Sequence, residues 1–185
     1  LLFALAVVCA RAKVNLYRGS TISFLTCVVI LAVIREGPAV AMLVGIAGVT
    51  VQTFFPSRKL VLHQLAFNIG MIALTVLATW STYHLLVGRP GIETLPTELT
   101  ATILASFMYF LGNSISVSLI VSLSQGAPML HLWSTHFLHS APSFVIAGLV
   151  SLGVVGLAGN IVLIGVALVA VTMIAYYCSI SKVAA

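Results

Sequence analysis

The sequence predicts an all-α protein, a polytopic transmembrane helical bundle of about six to seven spans plus a short interfacial helix. Of the 185 residues, 61% are hydrophobic and only 6% are charged, too few to cover the surface of a water-soluble domain. Uncharged segments of roughly 15 residues or more recur along the chain, as in helical membrane proteins. We therefore expect residues 1–185 to form a single transmembrane domain.

The first half of the chain contains four predicted helices. The apolar segment Leu1–Ala10 is expected to be the end of a longer helix, followed by the hydrophilic segment ARAKVNLYRGS. A second helix is predicted from about Thr21 to Ile34, before the turn residues Gly37-Pro38. The third spans Ala39–Phe55. The fourth, Leu60–Val87, carries no formal charge and is long enough to cross a hydrocarbon core of about 30 Å.

The second half contains three further predicted helices and the interfacial segment. The fifth helix is predicted at about Leu99–Leu123. In Met129–Ser140, MLHLWSTHFLHS, histidines and aromatic residues accompany apolar residues at helical spacing, which predicts a short interfacial helix. The sixth helix is expected to begin at Pro142 and to end near Leu157, and the seventh spans Ile161–Ile180. We expect the native chain to continue past Ala185.

Basic residues predict the orientation in the membrane. If the loop Arg11–Arg18 is cytoplasmic, Arg58–Lys59 and Lys182 are also cytoplasmic, and the acidic loop Glu93–Glu98 lies outside. This arrangement satisfies the positive-inside rule except at Arg35 and Arg89, which lie beside a glutamate or in the acidic loop. It predicts a multi-pass membrane protein with a cytoplasmic C-terminus.

Polar side chains in the fourth and fifth helices are the candidate ligand-binding residues. Gln64 and Asn68 lie one turn apart on the fourth helix, and Tyr109 and Asn113 lie one turn apart on the fifth. Unpaired amides are costly in lipid, so these groups must meet protein, water or a ligand. Two alternatives remain open: a hydrogen bond such as Asn68 to Asn113 that joins the helices, or a polar pocket for a small ligand.

Glycines spaced by three residues predict faces where helices approach closely. One such pair is Gly45/Gly48 and the other is Gly153/Gly156. Small residues of this kind are enriched where membrane helices contact each other.

The sequence argues against catalysis, cofactors and nucleic-acid binding. The three acidic residues all lie in predicted loops, so no paired-carboxylate site is expected and we predict a non-enzymatic protein. The eight basic residues are dispersed, unlike a nucleic-acid patch. Five histidines suggest metal or haem, but they lack carboxylate or thiol partners. His63 and His84 would lie about 31 Å apart on one helix. We therefore expect solvent-wetted histidines at the membrane interface and no cofactor.

Three segments carry a resemblance to a known class of membrane domain. They are EGPAVAMLVGIAGVTVQ from Glu36, AFNIGMIAL from Ala66 and MYFLGNSISVSLIVSLSQGAPMLHLW from Met108. Their order resembles the N-terminal multi-helix membrane (sensor) domain of bacterial HD-GYP, GGDEF and kinase signalling proteins. That domain is itself similar to the substrate-binding subunits of energy-coupling-factor vitamin transporters.

The resemblance implies a helical bundle in the bacterial cytoplasmic (inner) membrane and a role in signalling, without defining a ligand. Five residues match the family pattern: Phe67, Asn68, Tyr109, Phe110 and Asn113. No HD-GYP, GGDEF or kinase segment follows within the sequence, which is a departure from the family.

The expected function is that of a membrane sensor or anchor domain. It would lie in the lipid bilayer, bind a small or lipophilic ligand, and relay a helix shift through the seventh helix to a cytoplasmic output domain. A first alternative is a structural or accessory subunit that packs against partner membrane subunits in a larger complex, with or without pigments or haem. A second is the solute-binding component of a transporter.

Overall fold

The computed structural model describes residues 2–11, 13–15, 21–54, 62–88 and 95–156. Most of these residues are helical, which confirms the predicted all-α class. The helices are α1 (Leu2–Arg11), α2 (Leu25–Arg35), α3 (Pro38–Phe54), α4 (Leu62–Val87), α5 (Leu95–Gln125), α6 (Met129–Leu132) and α7 (Ala141–Gly156). The predicted seventh helix, Ile161–Ile180, and the basic pair Arg58–Lys59 lie outside the described residues.

A short hairpin separates the first two helices, where the sequence predicted a loop and the start of a helix. Strand β1 (Lys13–Asn15) pairs antiparallel with β2 (Thr21–Ser23), with Asn15 opposite Thr21. The predicted start of the second helix at Thr21 is therefore wrong, since the helix begins at Leu25. The sequence Thr-Ile at 21 and 22 is β-branched at both positions, which favours strand over helix.

The predicted interfacial helix is not a separate element. It forms one helical segment with the sixth predicted helix, through a π-helical turn (Trp133–Phe137) and a 3-10 turn (Leu138–Ser140). Pro142 explains the irregular turns, because a proline ring has no N–H to donate and clashes with the carbonyl four residues earlier. The Ser140 hydroxyl donates to the Phe137 carbonyl at 2.7 Å, so a carbonyl in the irregular stretch keeps a partner.

Three helical segments within the described residues are long and apolar enough to cross a membrane. They are Leu62–Val87, Leu95–Gln125 and Met129–Gly156, with 26, 31 and 28 residues. By contrast, α2 has 11 residues and spans about 16 Å, roughly half of a hydrocarbon core. The described part of the chain thus supports a membrane protein with three candidate spans, and the six to seven predicted spans are not confirmed.

Large apolar side chains cover the outside of the long helices. Leu74 in the middle of α4 is 71% exposed, and Leu123 near the end of α5 is 74% exposed. Lipid tails solvate such side chains without the penalty that water would impose. This surface is what a membrane-spanning bundle requires.

The core of the bundle surrounds α2. Nine of its eleven residues, Leu25–Val33, are buried, and the helix is packed among α1, α3, α4 and α7. A helix that is apolar on every side is suited to such a central position. The Ser151 hydroxyl of α7 lies within hydrogen-bonding distance of two carbonyls, Cys27 of α2 at 2.8 Å and Ala147 of its own helix at 2.7 Å, and it can donate its single hydrogen to either.

Glycines allow three of these helices to approach closely. A Cβ atom at Gly45 would lie 2.8 Å from Ile72 Cγ1 of α4, and one at Gly48 would overlap the Leu25 side chain of α2. The predicted close packing at Gly45/Gly48 is therefore confirmed. No described residue lies within 4 Å of a Cβ at Gly153 or Gly156, so close packing there stays a prediction.

Candidate functional site

A cavity of about 540 Å³ lies between α3, α4 and α5. Its size is typical of small-molecule sites, which usually occupy a few hundred cubic ångströms. Eleven described residues line it: Val49, Gln52, Thr53, His63, Gln64, Phe67, Asn68, Met71, Asn113, Val117 and Ile120.

The cavity has a mouth near the start of α4 and a base deeper between α4 and α5. Its mouth is formed by the first turn of α4, with His63 and Gln64, and by the end of α3. Thr53 of α3 lies beside Asn68, since the Asn68 Nδ2 donates to the Thr53 hydroxyl at 2.9 Å. Asn113 marks the base of the cavity. The residue before it, Gly112 of α5, packs against Thr75 of α4, which lies about two turns beyond Asn68.

Three of the four residues singled out by the sequence lie around this cavity. They are Gln64, Asn68 and Asn113. The direct Asn68–Asn113 hydrogen bond, the example given for one of the two alternatives, does not form, and the Asn68 amide donates to the Thr53 hydroxyl of α3. The register of α3 against α4 places that hydroxyl closer than Asn113. The space between the two amides is part of the cavity.

Tyr109 belongs to the core and does not line the cavity. Its side chain is 4% exposed, hydrogen-bonds with the Thr26 side chain and packs against Phe144 with ring centroids 6.0 Å apart. The beginning of α2 therefore closes the bundle at the depth of Tyr109. The sequence alone could not show this difference between the two residues. Tyr109 and Asn113 are four residues apart and lie on the same side of α5, so the helix by itself does not distinguish them.

Sequence reasoning missed the contribution of α3 and of the first turn of α4. Gln52 and Thr53 lie at the end of an apolar helix, and His63 lies beside Gln64. Polar residues in the last turn of α3 are a signal, but such residues are common at the ends of membrane helices. Only the pairing of α3 with α4 shows that they face the same space.

The described lining residues carry hydrogen-bonding groups but no formal charge. In the described part of the chain, the Gln64 and Asn113 amides have no hydrogen-bond partner, while Asn68 uses one amide hydrogen for Thr53. An amide has two donor hydrogens and an oxygen that accepts. The cavity can therefore bind a molecule through several neutral hydrogen bonds and through the apolar side chains between them.

The histidines do not come together in the described structure. His84 stacks on Trp80, with ring centroids 4.9 Å apart and planes 15° apart, whereas His131, His136 and His139 are exposed. Among the residues described, no three histidine, cysteine, aspartate or glutamate side chains form a group that could hold a metal ion. The cavity wall includes a single histidine, His63.

Comparison of the chain with models of known protein families, with curated proteins and with solved structures gives no match. The function is therefore inferred from the cavity and the residues around it.

Proposed function

We propose that this chain is an integral-membrane sensor domain of a bacterial signalling protein. It binds a small or lipophilic molecule in the cavity between α3, α4 and α5, and passes the change in helix packing to a cytoplasmic output domain. The observation that carries the proposal is the cavity of about 540 Å³ with amide groups of Gln64 and Asn113 that lack partners in the described chain.

The alternative role, a link between helices, applies to Asn68 but has less support for Asn113. The Asn68 amide joins α4 to α3 through its hydrogen bond to the Thr53 hydroxyl, and a bond of this kind is worth about 0.6–2 kcal/mol in a membrane. The half-buried Asn113 has no hydrogen-bond partner among the described residues and lines the cavity. An unpaired amide away from water costs about 1–3 kcal/mol, which a bound molecule with matching groups would offset.

The proposed topology has six to seven spans, with the C-terminus in the cytoplasm. The Arg35 guanidinium lies 3.7 Å from the Glu36 carboxylate, so the positive charge between α2 and α3 is balanced there. This pairing supports placing that turn outside and the α3–α4 connection, with Arg58–Lys59, in the cytoplasm. The cavity mouth then lies in the cytoplasmic half of the membrane.

The position of the mouth favours sensing over solute import. The solute-binding component of an importer must accept its solute from outside. In the proposed orientation the cavity mouth is formed by the cytoplasmic ends of α3 and α4. It therefore lies on the side of the membrane opposite to the external solute. A sensor can take a ligand from the cytoplasm or the inner leaflet.

Extraction of bound molecules tests the binding role. The protein is purified in lipid nanodiscs, and its extracts are compared by mass spectrometry with those of Val117→Trp, which fills the cavity. Leu123→Trp adds the same side chain on α5 at a position that is 74% exposed, and serves as the control. We expect a molecule to accompany the wild type and Leu123→Trp but not Val117→Trp. Identical extracts from all three would contradict the proposal.

A fused reporter tests the relay. A GGDEF domain placed after Ala185 reports its activity through the cyclic dinucleotide that it makes. We expect Val117→Trp to change reporter activity and Leu123→Trp to leave it unchanged. Equal activity in all three proteins, at equal expression, would restrict the domain to anchoring.

A further inference from the structure

We infer that the ligand of the cavity is an uncharged amphiphile, with hydrogen-bonding groups near both ends and an apolar middle. This inference rests on the proposed function, in which the cavity is a ligand site. It adds the chemical class of the ligand.

Polar groups lie at both ends of the cavity. At the mouth, His63 and Gln64 are exposed, and at the base the Asn113 amide lies beyond the buried Met71, because its neighbour Gly112 packs against Thr75. Seven residues of α4 separate Gln64 from Met71, which corresponds to about 10 Å along the helix. A ligand that satisfies both ends therefore carries polar groups roughly that far apart.

The wall between the two ends is mostly apolar. Val49 of α3, Phe67 of α4 and Val117 of α5 line it, one from each helix. These side chains favour an apolar body, because they offer dispersion contacts and no hydrogen bonds. The Asn68 amide and the Thr53 hydroxyl interrupt the wall, but they already bond to each other.

The neutral lining disfavours a charged ligand. None of the eleven described lining residues is an aspartate, glutamate, lysine or arginine. An ion buried without a counter-charge loses its hydration and gains no Coulomb attraction in return. The Asn113 amide at the base can replace most of the hydrogen bonds that a neutral polar group makes with water. It cannot replace the hydration of an ion to the same extent.

Three benzophenone probes of similar size test the charge preference. They are 4-(hydroxymethyl)benzophenone, which is neutral, 4-benzoylbenzoate, which is anionic, and 4-(aminomethyl)benzophenone, which is cationic. Each is photo-crosslinked to the protein in nanodiscs, and the labelled peptides are mapped by mass spectrometry. We expect the neutral probe to label the peptides around Met71 and Val117 more strongly than either charged probe. Equal or stronger labelling there by the anion or the cation would overturn the inferred ligand class.

Variants of the base show whether the polar end is used. Asn113→Leu should reduce labelling by the neutral probe about threefold to tenfold, the usual effect of losing one or two hydrogen bonds. Gln125→Leu makes the same type of change at an exposed position at the end of α5 and should not alter the labelling. If Asn113→Leu does not fold, Asn113→Ala provides the smaller change. Unaltered labelling in a folded Asn113 variant would overturn the polar contact at the base.

The Val117→Trp variant separates this inference from the proposed function. If it leaves labelling by all three probes unchanged, the cavity is not a ligand site and both ideas fail. If it removes labelling that is strongest for a charged probe, the binding role stands and the uncharged ligand class is wrong.

Discussion

The two sides of α3 differ in how they meet their neighbours. On one side, Gly48 lets α2 approach until the Leu25 side chain covers the glycine. On the other, near its end, Gln52 and Thr53 face α4 and α5 across a cavity of about 540 Å³. The same helix therefore takes part in a closely packed contact and in an open one. The difference follows from the kind of polar group that each contact contains.

Hydroxyl groups are compatible with close helix packing, because a hydroxyl can donate to a carbonyl of its own helix. The Thr79 hydroxyl donates to the Thr75 carbonyl at 2.7 Å, and the Ser106 hydroxyl donates to the Thr102 carbonyl at 2.6 Å. An amide cannot be satisfied in this way, because it has two donor hydrogens and an acceptor oxygen. Amides at facing positions therefore keep helices apart unless they find partners. In the described part of the chain, Gln64 at the mouth and Asn113 at the base lack a partner, whereas Asn68 in the wall bonds to Thr53.

Gly48→Leu should have the largest effect, because it forces apart the packed contact between α2 and α3. The new side chain would overlap Leu25, which is 3% exposed. Overpacking of this kind costs about 1–3 kcal/mol, and more when the backbone must move. Reversible unfolding in mixed detergent micelles measures the loss. Gly70→Leu on α4, where no described residue lies within 4 Å, is the control, and equal stability of the two variants would contradict the packed contact.

Ser151→Ala should have an intermediate effect on stability. The substitution removes a hydroxyl hydrogen that the Cys27 carbonyl of α2 shares with the Ala147 carbonyl of α7, and hydrogen bonds between membrane helices contribute about 0.6–1.7 kcal/mol. Thr82→Ala removes a hydroxyl that bonds only within its own helix, to the Ala78 carbonyl. The same unfolding assay should show a greater loss for Ser151→Ala than for Thr82→Ala. The reverse order would show that the bond between α7 and α2 is unimportant.

Asn68→Leu should have the smallest effect on stability but a clear effect on the cavity. It removes the bond to Thr53, worth about 0.6 kcal/mol, yet the Thr53 hydroxyl keeps its bond to the Val49 carbonyl at 2.8 Å. The leucine also removes a polar group from the cavity wall. We expect near-normal unfolding together with a reduced amount of the co-purifying molecule, the opposite of Ser151→Ala. A large loss of stability would show that Asn68 serves mainly to join helices.

The sequence by itself determined the helical class and the approximate extent of the long helices. The predicted fourth helix, Leu60–Val87, and the observed α4 end at the same residue. Periodicity and the absence of charge were sufficient, because a long apolar segment has few alternatives to a helix. The hairpin before α2 was missed, since three-residue strands leave no periodic pattern.

Of the candidate site, the sequence identified polar residues that had to find partners, and the tertiary structure decided which partners were within reach. Asn68 and Asn113 were singled out because amides in apolar helices are costly to leave unpaired. Their separation by a cavity, the bond from Asn68 to Thr53 and the burial of Tyr109 depend on the relative rotation and level of α3, α4 and α5. Close contacts between distant residues, such as Gly45 with Ile72, set those quantities. The pattern within any single helix cannot encode them.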